Sequence, residues 1–325
     1  MDSITAIVAL IVSFFCVYYG ANYFIEGAAA VARKLKVSSL VIALTVVAFG
    51  TSAPELVVGI MSSIRHTYDL SVGNLLGSSF ADVTLVLGVA ALIKPIRIKM
   101  DFLRQEFPFV IVAGALIFLL SSDGTLTWGD GVILVLTFFI YLYYTLIVRM
   151  LEEKITPKDE IVETAELRKL NILDGQTFRR NLMYLVGGLF VLTLGAYWLI
   201  DSAVTISNIL HIPALIIGVT LISMGTVMPE FITNIVASFK EKEEDIQVGN
   251  SLGSLIFNIM FLFGIFAIIH PISIPSNLIH FELPALLAIG ILLIPLMRRN
   301  FVLGRFEGTL LVCLYIAYIV KQFYF

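Results

Sequence analysis

The chain has 325 residues, 59% of them hydrophobic and 14% charged, with a mean hydropathy of +0.97. A soluble domain is about a quarter charged, so this composition excludes an ordinary globule and places the chain in a bilayer; no nucleic-acid partner is expected. The formal net charge of -3 says less than the placement of the Lys and Arg residues.

Apolar runs at 4–31, 38–63, 70–93, 107–122, 127–150, 182–204, 212–239, 245–268, 279–297 and 302–322 predict an all-α integral membrane fold of about ten spans. Their uneven lengths predict tilted or broken helices. The first run lacks a basic start and an Ala-x-Ala exit, so it reads as mature structure rather than a secretory signal. With the N-terminus outside, alternate loops collect 19 of the 21 Lys and Arg residues, leaving only Arg65 and Lys321 opposite. The positive-inside rule then predicts both termini outside. Cys16 and Cys313 fall inside apolar spans, which predicts packed thiols.

Sliding the chain on itself by 175 residues aligns Gly20-Ala21 with Gly195-Ala196, Glu26 with Asp201, Thr45 with Thr220, Gly50-Thr51 with Gly225-Thr226, and Pro54-Glu55 with Pro229-Glu230. After a one-residue insertion, Val72-Gly73-Asn74 meets Val248-Gly249-Asn250, Gly77-Ser78 meets Gly253-Ser254, and Pro95-Ile96 meets Pro271-Ile272. Five spans per copy is an odd number, so the second copy enters the membrane from the opposite face. The expected organisation is two inverted five-helix repeats, 1–150 and 182–325, joined by a cytoplasmic linker at 151–181. That linker is a solvated stretch with seven acids against six bases from Glu152 to Arg180. Such repeats point to a transporter with its site near the midplane, where the halves meet.

Each copy carries Gly-Thr-x-x-Pro-Glu at membrane depth. A charge there costs about 2.5 to 3.5 kcal/mol, which marks Glu55 and Glu230 as residues facing a cavity with a task. Pro54 and Pro229 remove backbone donors, which predicts freed carbonyls around Ala48 to Thr51 and Ser223 to Thr226 as cation ligands. The third and eighth spans add Gly73-Asn74-x-x-Gly77-Ser78-x-x-x-Asp82 and Gly249-Asn250-x-x-Gly253-Ser254-x-x-x-Asn258. Thr51 and Glu55, Thr226 and Glu230, Ser78 and Asp82, and Ser254 and Asn258 are each four apart, so each pair shares a helix face. Three carboxylates, an amide, hydroxyls and carbonyls, with no His or Cys, form a hard-cation set suited to calcium or sodium rather than zinc or copper. Three negative charges balance three monovalent cations, or one divalent cation and a proton.

On these residues the sequence resembles the calcium/cation antiporter superfamily, most closely its prokaryotic sodium/calcium exchangers, over essentially the whole chain. The resemblance implies a sodium/calcium antiporter of a prokaryotic plasma membrane, functional as a monomer, that transports Ca2+ and Na+ and needs no cofactor. It implies that long first and sixth helices slide across a fixed core. The implied metal ligands are Thr51, Ser52, Glu55, Ser78 and Asp82 with Thr226, Glu230, Ser254 and Asn258, plus the backbone carbonyls of Ala48 and Ser223. Two departures stand out: Val227 replaces a hydroxyl, and the acid Asp82 and amide Asn258 are exchanged between the halves.

Proton-coupled exchange of calcium or another divalent cation is the alternative, since Val227 removes an oxygen and a spare carboxylate could take a proton. A passive channel is disfavoured by the broken inverted repeats, and an enzyme by the lack of a Ser/His pair or a zinc motif. Glu26 and Asp201, near span ends, are read as interfacial or as ion-entry residues. His66, His211, His270 and His280 also sit at span ends, as interfacial or proton-coupling residues.

Overall fold

A computed structural model describes residues 3–34, 48–98, 100–155, 177–239 and 244–324. The first half contains α1 (Ser3–Lys34), α2 (Ala48–Thr51), α3 (Ala53–Ile64), α4 (Tyr68–Ala81), α5 (Leu87–Ile93), β1 (Ile96–Arg97), α6 (Met100–Gln105), α7 (Phe107–Leu120), β2 (Thr125–Leu126) and α8 (Trp128–Ile155). Next come α9 (Phe178–Leu210), α10 (Ala214–Thr226) and α11 (Met228–Ser238). They are followed by α12 (Glu244–Ile256), α13 (Phe263–Ile269), β3 (Ile272–Ser273), α14 (Leu278–Arg298), β4 (Val302–Leu303) and α15 (Arg305–Tyr324).

Among the described residues, eight helices are long and apolar enough to cross a membrane, and α10 with α11 makes a ninth span bent by 45°. The remaining predicted span, 38–63, lies partly outside the described residues; its described part is α2 and α3. The chain is therefore an integral membrane protein, mostly helical. Two predicted boundaries move outward. α9 occupies Phe178–Leu210 instead of 182–204 and stops where His211 adopts the left-handed conformation, φ 53°. α8 continues to Ile155, into the predicted linker. Polar residues at helix ends keep their helical hydrogen bonds beyond the apolar window, so hydropathy underestimates both helices. Cys313 is exposed rather than packed, whereas Cys16 is half-buried.

The prolines break helices where the sequence predicts. Pro54 sits in the first turn of α3, where its missing N–H is no loss to that helix but leaves the Gly50 carbonyl without its helical donor. Pro229 does the same to Gly225. The π-helical turns at Asp82–Val86, Gly218–Ile222, Phe257–Leu262 and Leu278–Glu282 left no distinguishing mark in the sequence pattern, where the polar Asp82, Thr84, Thr220, Asn258 and Glu282 stand among apolar residues.

Two short ribbons tie the halves together. β1 pairs antiparallel with β4, Ile96 opposite Leu303 and Arg97 opposite Val302. β2 pairs with β3, Thr125 opposite Ser273 and Leu126 opposite Ile272. Because β1 and β2 flank α6 and α7 while β3 and β4 flank α14, these pairings make α7 and α14 antiparallel neighbours. Packing falls into two bodies. A large apolar core gathers α4, α5, α7, α8 and α12 to α15, while a smaller one joins α1 and α9 to α3 and α10. α1 and α9 approach at backbone distance: a Cβ on Gly20 would stand 2.4 Å from Leu192 N, and one on Gly195 would stand 2.8 Å from Val17 N.

Candidate cation site

The helix breaks at Ser52 and Val227 bring Glu55 and Glu230 into the first turns of α3 and α11. There the helix dipoles favour a carboxylate. Asp82 and Asn258 each stand at the start of a π-helical turn, Asp82 opening Asp82–Val86 and Asn258 second in Phe257–Leu262. All four side chains are 1% exposed.

Hydrogen bonds cross between the halves at this point. Ser52 Oγ donates to Glu230 Oε1 at 3.2 Å and approaches Ser254 Oγ at 3.4 Å. Asn258 Nδ2 donates to Ser78 Oγ at 3.3 Å, and Thr226 Oγ1 donates to Asn74 Oδ1 at 2.9 Å. Both oxygens of Glu55, both of Asp82, Oε2 of Glu230 and Oδ1 of Asn258 are buried with no donor. Burying unpaired charge costs several kcal/mol per ion, so three such carboxylates facing one region call for a positive partner, a cation or a proton, and the neutral Asn258 oxygen adds a further acceptor beside them. The three carboxylates lie within electrostatic reach of one another. They do not close on a point: among the described residues no three His, Cys, Asp or Glu side chains stand at metal-holding distance. Any ion held here must also draw on hydroxyl, amide and carbonyl oxygens, as calcium and sodium do.

The remaining expected ligands divide. Thr51, Ser78, Thr226 and Ser254 are buried around the same region. Ser223 is buried beside them, its carbonyl accepting from Val227 N at 3.0 Å and Thr226 Oγ1 at 3.3 Å. Pro229 withdraws the helical donor of Gly225, within the expected Ser223 to Thr226 stretch. Ala48 opens α2, and its side chain lies outside the described set. Val227 is 2% exposed and packs with the large apolar core.

Sequence reasoning passed over Asn74, whose Nδ2 is buried without a partner, and the amide network of Asn234, Gln247 and Asn250 on α11 and α12. The signal for Asn74 and Asn250 was their place in both motif copies. It also missed two buried acids at matched positions. Glu106 accepts from Tyr141 OH at 2.8 Å, and Glu282 holds Lys321 Nζ at 3.1 Å and Gln322 Nε2 at 2.7 Å. Asp201 forms an ion pair with Arg65 at 2.9 Å, Glu26 is also engaged, and all four histidines are exposed at helix ends.

A helical membrane protein that buries hard oxygen ligands from two related halves belongs to the class of cation transporters. The family model described as sodium/calcium exchanger protein matches residues 5–147 and 180–324, and the chain belongs to that family. It is 28% identical to sodium/calcium exchanger MaX1 of Methanosarcina acetivorans, over 94% of this chain and 95% of that one. It is 32% identical to the putative antiporter CaxA of Alkalimonas amylolytica, over 97% and 98% of the two chains. Among solved structures, the sodium-calcium exchanger NCX_Mj soaked with 2.5 mM Na+ and 10 mM Sr2+ aligns with a TM-score of 0.66 at 28% identity, over 98% of this chain and 99% of that one.

Proposed function

We propose that this cation exchanger is a secondary antiporter in which sodium entering down its gradient expels calcium, the two ions alternating in the pocket of Glu55, Asp82 and Glu230. The observation that carries this reading is the set of six buried oxygens without donors. Around them, Thr51, Ser52, Ser78, Thr226, Ser254 and Asn258 supply neutral oxygens, joined by the stranded carbonyls of Gly50 and Gly225. The names of the relatives support calcium as cargo and sodium as counter-ion.

Ten spans in two inverted five-helix repeats, 1–150 and 182–325, with a linker at 151–181, complete the proposal. The antiparallel α7 and α14 support inversion, as do the ribbons, in which the repeat carries β1·β4 onto β3·β2. The positive-inside count supports a plasma membrane orientation with both termini outside. Access alternates as the α1 and α9 layer, with its own small core, moves over the remainder. The unit is a monomer.

In sodium-loaded proteoliposomes at clamped pH, calcium uptake requires the outward sodium gradient and is lost in Glu55→Gln and Glu230→Gln. Uptake that ignores sodium and follows an imposed pH gradient instead identifies a proton/calcium exchanger, the reading favoured by the apolar Val227.

A further inference from the structure

The two helical hairpins that carry the glutamates are built differently. On the Glu230 side, α11 and α12 are joined by side-chain hydrogen bonds, buried around Asn234, Gln247 and Ser251 and half-buried at Asn250. Asn234 Nδ2 donates to Ser251 Oγ at 2.9 Å and to Gln247 O at 3.2 Å. Gln247 Nε2 donates to Ser238 Oγ at 2.7 Å and to Asn234 O at 3.1 Å. Asn250 Nδ2 donates to Asn234 Oδ1 at 3.0 Å and to the Glu230 carbonyl at 3.3 Å. Asn234 and Ser251 are 0% exposed and Gln247 2%. On the Glu55 side the 175- and 176-residue offsets put Gly59, Ser71 and Leu75 at these positions, and among the described residues no side-chain hydrogen bond joins α3 to α4. The space is taken from outside: a Cβ on Gly59 would fall 1.9 Å from the Phe266 ring. At the position matching Phe266 stands Ala90, whose carbonyl lies 3.5 Å from Ser238 Oγ. A large ring against glycine in one half is thus matched in the other by the small Ala90, which faces Ser238 of the hydrogen-bonded network.

Resting on the reading of Glu230 as an ion ligand, we propose that Asn234 is a positioning residue: through Asn250 it fixes the backbone that carries Glu230, making the second-half side of the ion pocket rigid and the first-half side compliant. A satisfied buried network stiffens the helices it joins, because each amide that moves leaves a partner unpaired at full desolvation cost. Asn250 bonds Asn234 and the Glu230 carbonyl with one amide group, so losing Asn234 frees it to shift and Glu230 with it. The packed Gly59 and Phe266 can slide without leaving any polar group unpaired.

The test measures calcium binding to the purified full chain and calcium uptake in proteoliposomes for Asn234→Leu, Asn234→Ala, Asn250→Leu, the Asn234→Leu/Asn250→Leu pair and Ser238→Ala. Asn234→Leu is expected to raise the calcium KM about tenfold with the maximal rate largely kept, and the pair to cost no more than one of its singles, because both act through one linkage. Ser238→Ala, which cuts the network at its far end from Glu230, leaves KM unchanged. If Asn234→Leu fails to fold, Asn234→Ala carries the same KM test. Unchanged KM in a folded Asn234 variant, or additive effects in the pair, overturns the proposal. A wild-type protein that neither binds nor takes up calcium fails the functional reading instead, whatever the Asn234 variants do.

Discussion

Asp82 and its counterpart Asn258 differ by one atom type, yet they behave differently in the pocket. Asn258 donates its Nδ2 to Ser78 Oγ, leaving one neutral oxygen without a donor, whereas neither oxygen of the charged Asp82 has a donor. Replacing Asp82 by Asn therefore removes one of three negative charges and also relieves an unpaired buried charge. Asp82→Asn is expected to melt at a higher temperature in detergent while binding calcium more weakly, and sodium should inhibit its calcium uptake less steeply, since fewer monovalent cations neutralise the pocket. Thermal melts and calcium uptake titrated against sodium check both; unchanged steepness would remove Asp82 from the charge count. At this scale the sequence was informative wherever chemistry and repetition coincided. Glu55, Glu230, Ser78 and Asn258 do come together, because an acid or hydroxyl at membrane depth is costly enough to stand out against apolar neighbours. Asn234 and Gln247 were not legible, because a single amide carries no such cost signal and their first-half counterparts, Gly59 and Ser71, give no repeat to notice. Proline withdraws a donor from the residue four before it, so within the expected Ser223 to Thr226 stretch the carbonyl that loses its helical donor is that of Gly225.

The element that concentrates function and cost is the kink between α10 and α11. Proline within a continuous helix costs about 3 kcal/mol or more, and here it ends α10 at a 45° bend while stranding the Gly225 carbonyl inside the bilayer. Pro229→Ala returns an N–H to that carbonyl and lets the helix run on. The variant is expected to be as stable as the parent or more so, and to lose calcium uptake because Glu230 leaves the first turn of α11 and swings away from Ser52. Uptake measured beside the melting temperature separates this outcome from simple unfolding, and uptake at the parental level would show that the bend is dispensable. Both kinks were readable from sequence, since Pro fixes its own backbone and removes a donor. The π-helical turns at Asp82 and Phe257 were not, because they change the hydrogen-bond register of a helix without requiring any particular residue type: Asp82 and Asn258 stand out as polar side chains at membrane depth, not as register shifts. Element lengths were legible only where apolar and helical ends coincide, which fails at Phe178 and Ile155.

Over the whole molecule, the repeat exchanges contacts as well as sequence. Gly20 against Leu192 becomes Gly195 against Val17, and a Cβ on Gly88 would stand 3.0 Å from Gly308 O just as one on Gly264 would stand 3.0 Å from Gly131 O. Besides Gly59 against Phe266, another contact set escapes this exchange. A Cβ on Gly225 would stand 1.9 Å from the Phe14 ring, and one on Gly50 would stand 2.5 Å from Ile25, so α1 covers both kinks. The residue of α9 that matches Phe14 is Leu189, which is 44% exposed and seals nothing. The glycine of each Gly-Thr-x-x-Pro-Glu motif is thus there to admit α1, and the asymmetry lies in how the α1 and α9 layer rests on the pocket. Gly225→Ala drives a methyl into Phe14, an overpacking expected to cost about 1 to 3 kcal/mol and to push α1 off the second kink. Phe14→Ala in the same chain removes the clash, so the double variant should regain most of the melting temperature that Gly225→Ala loses. If the layer moves during exchange, the single variant should also change calcium uptake more than its stability loss predicts, because it biases where α1 rests. A double variant no more stable than Gly225→Ala alone would mean that Gly225 meets something other than α1.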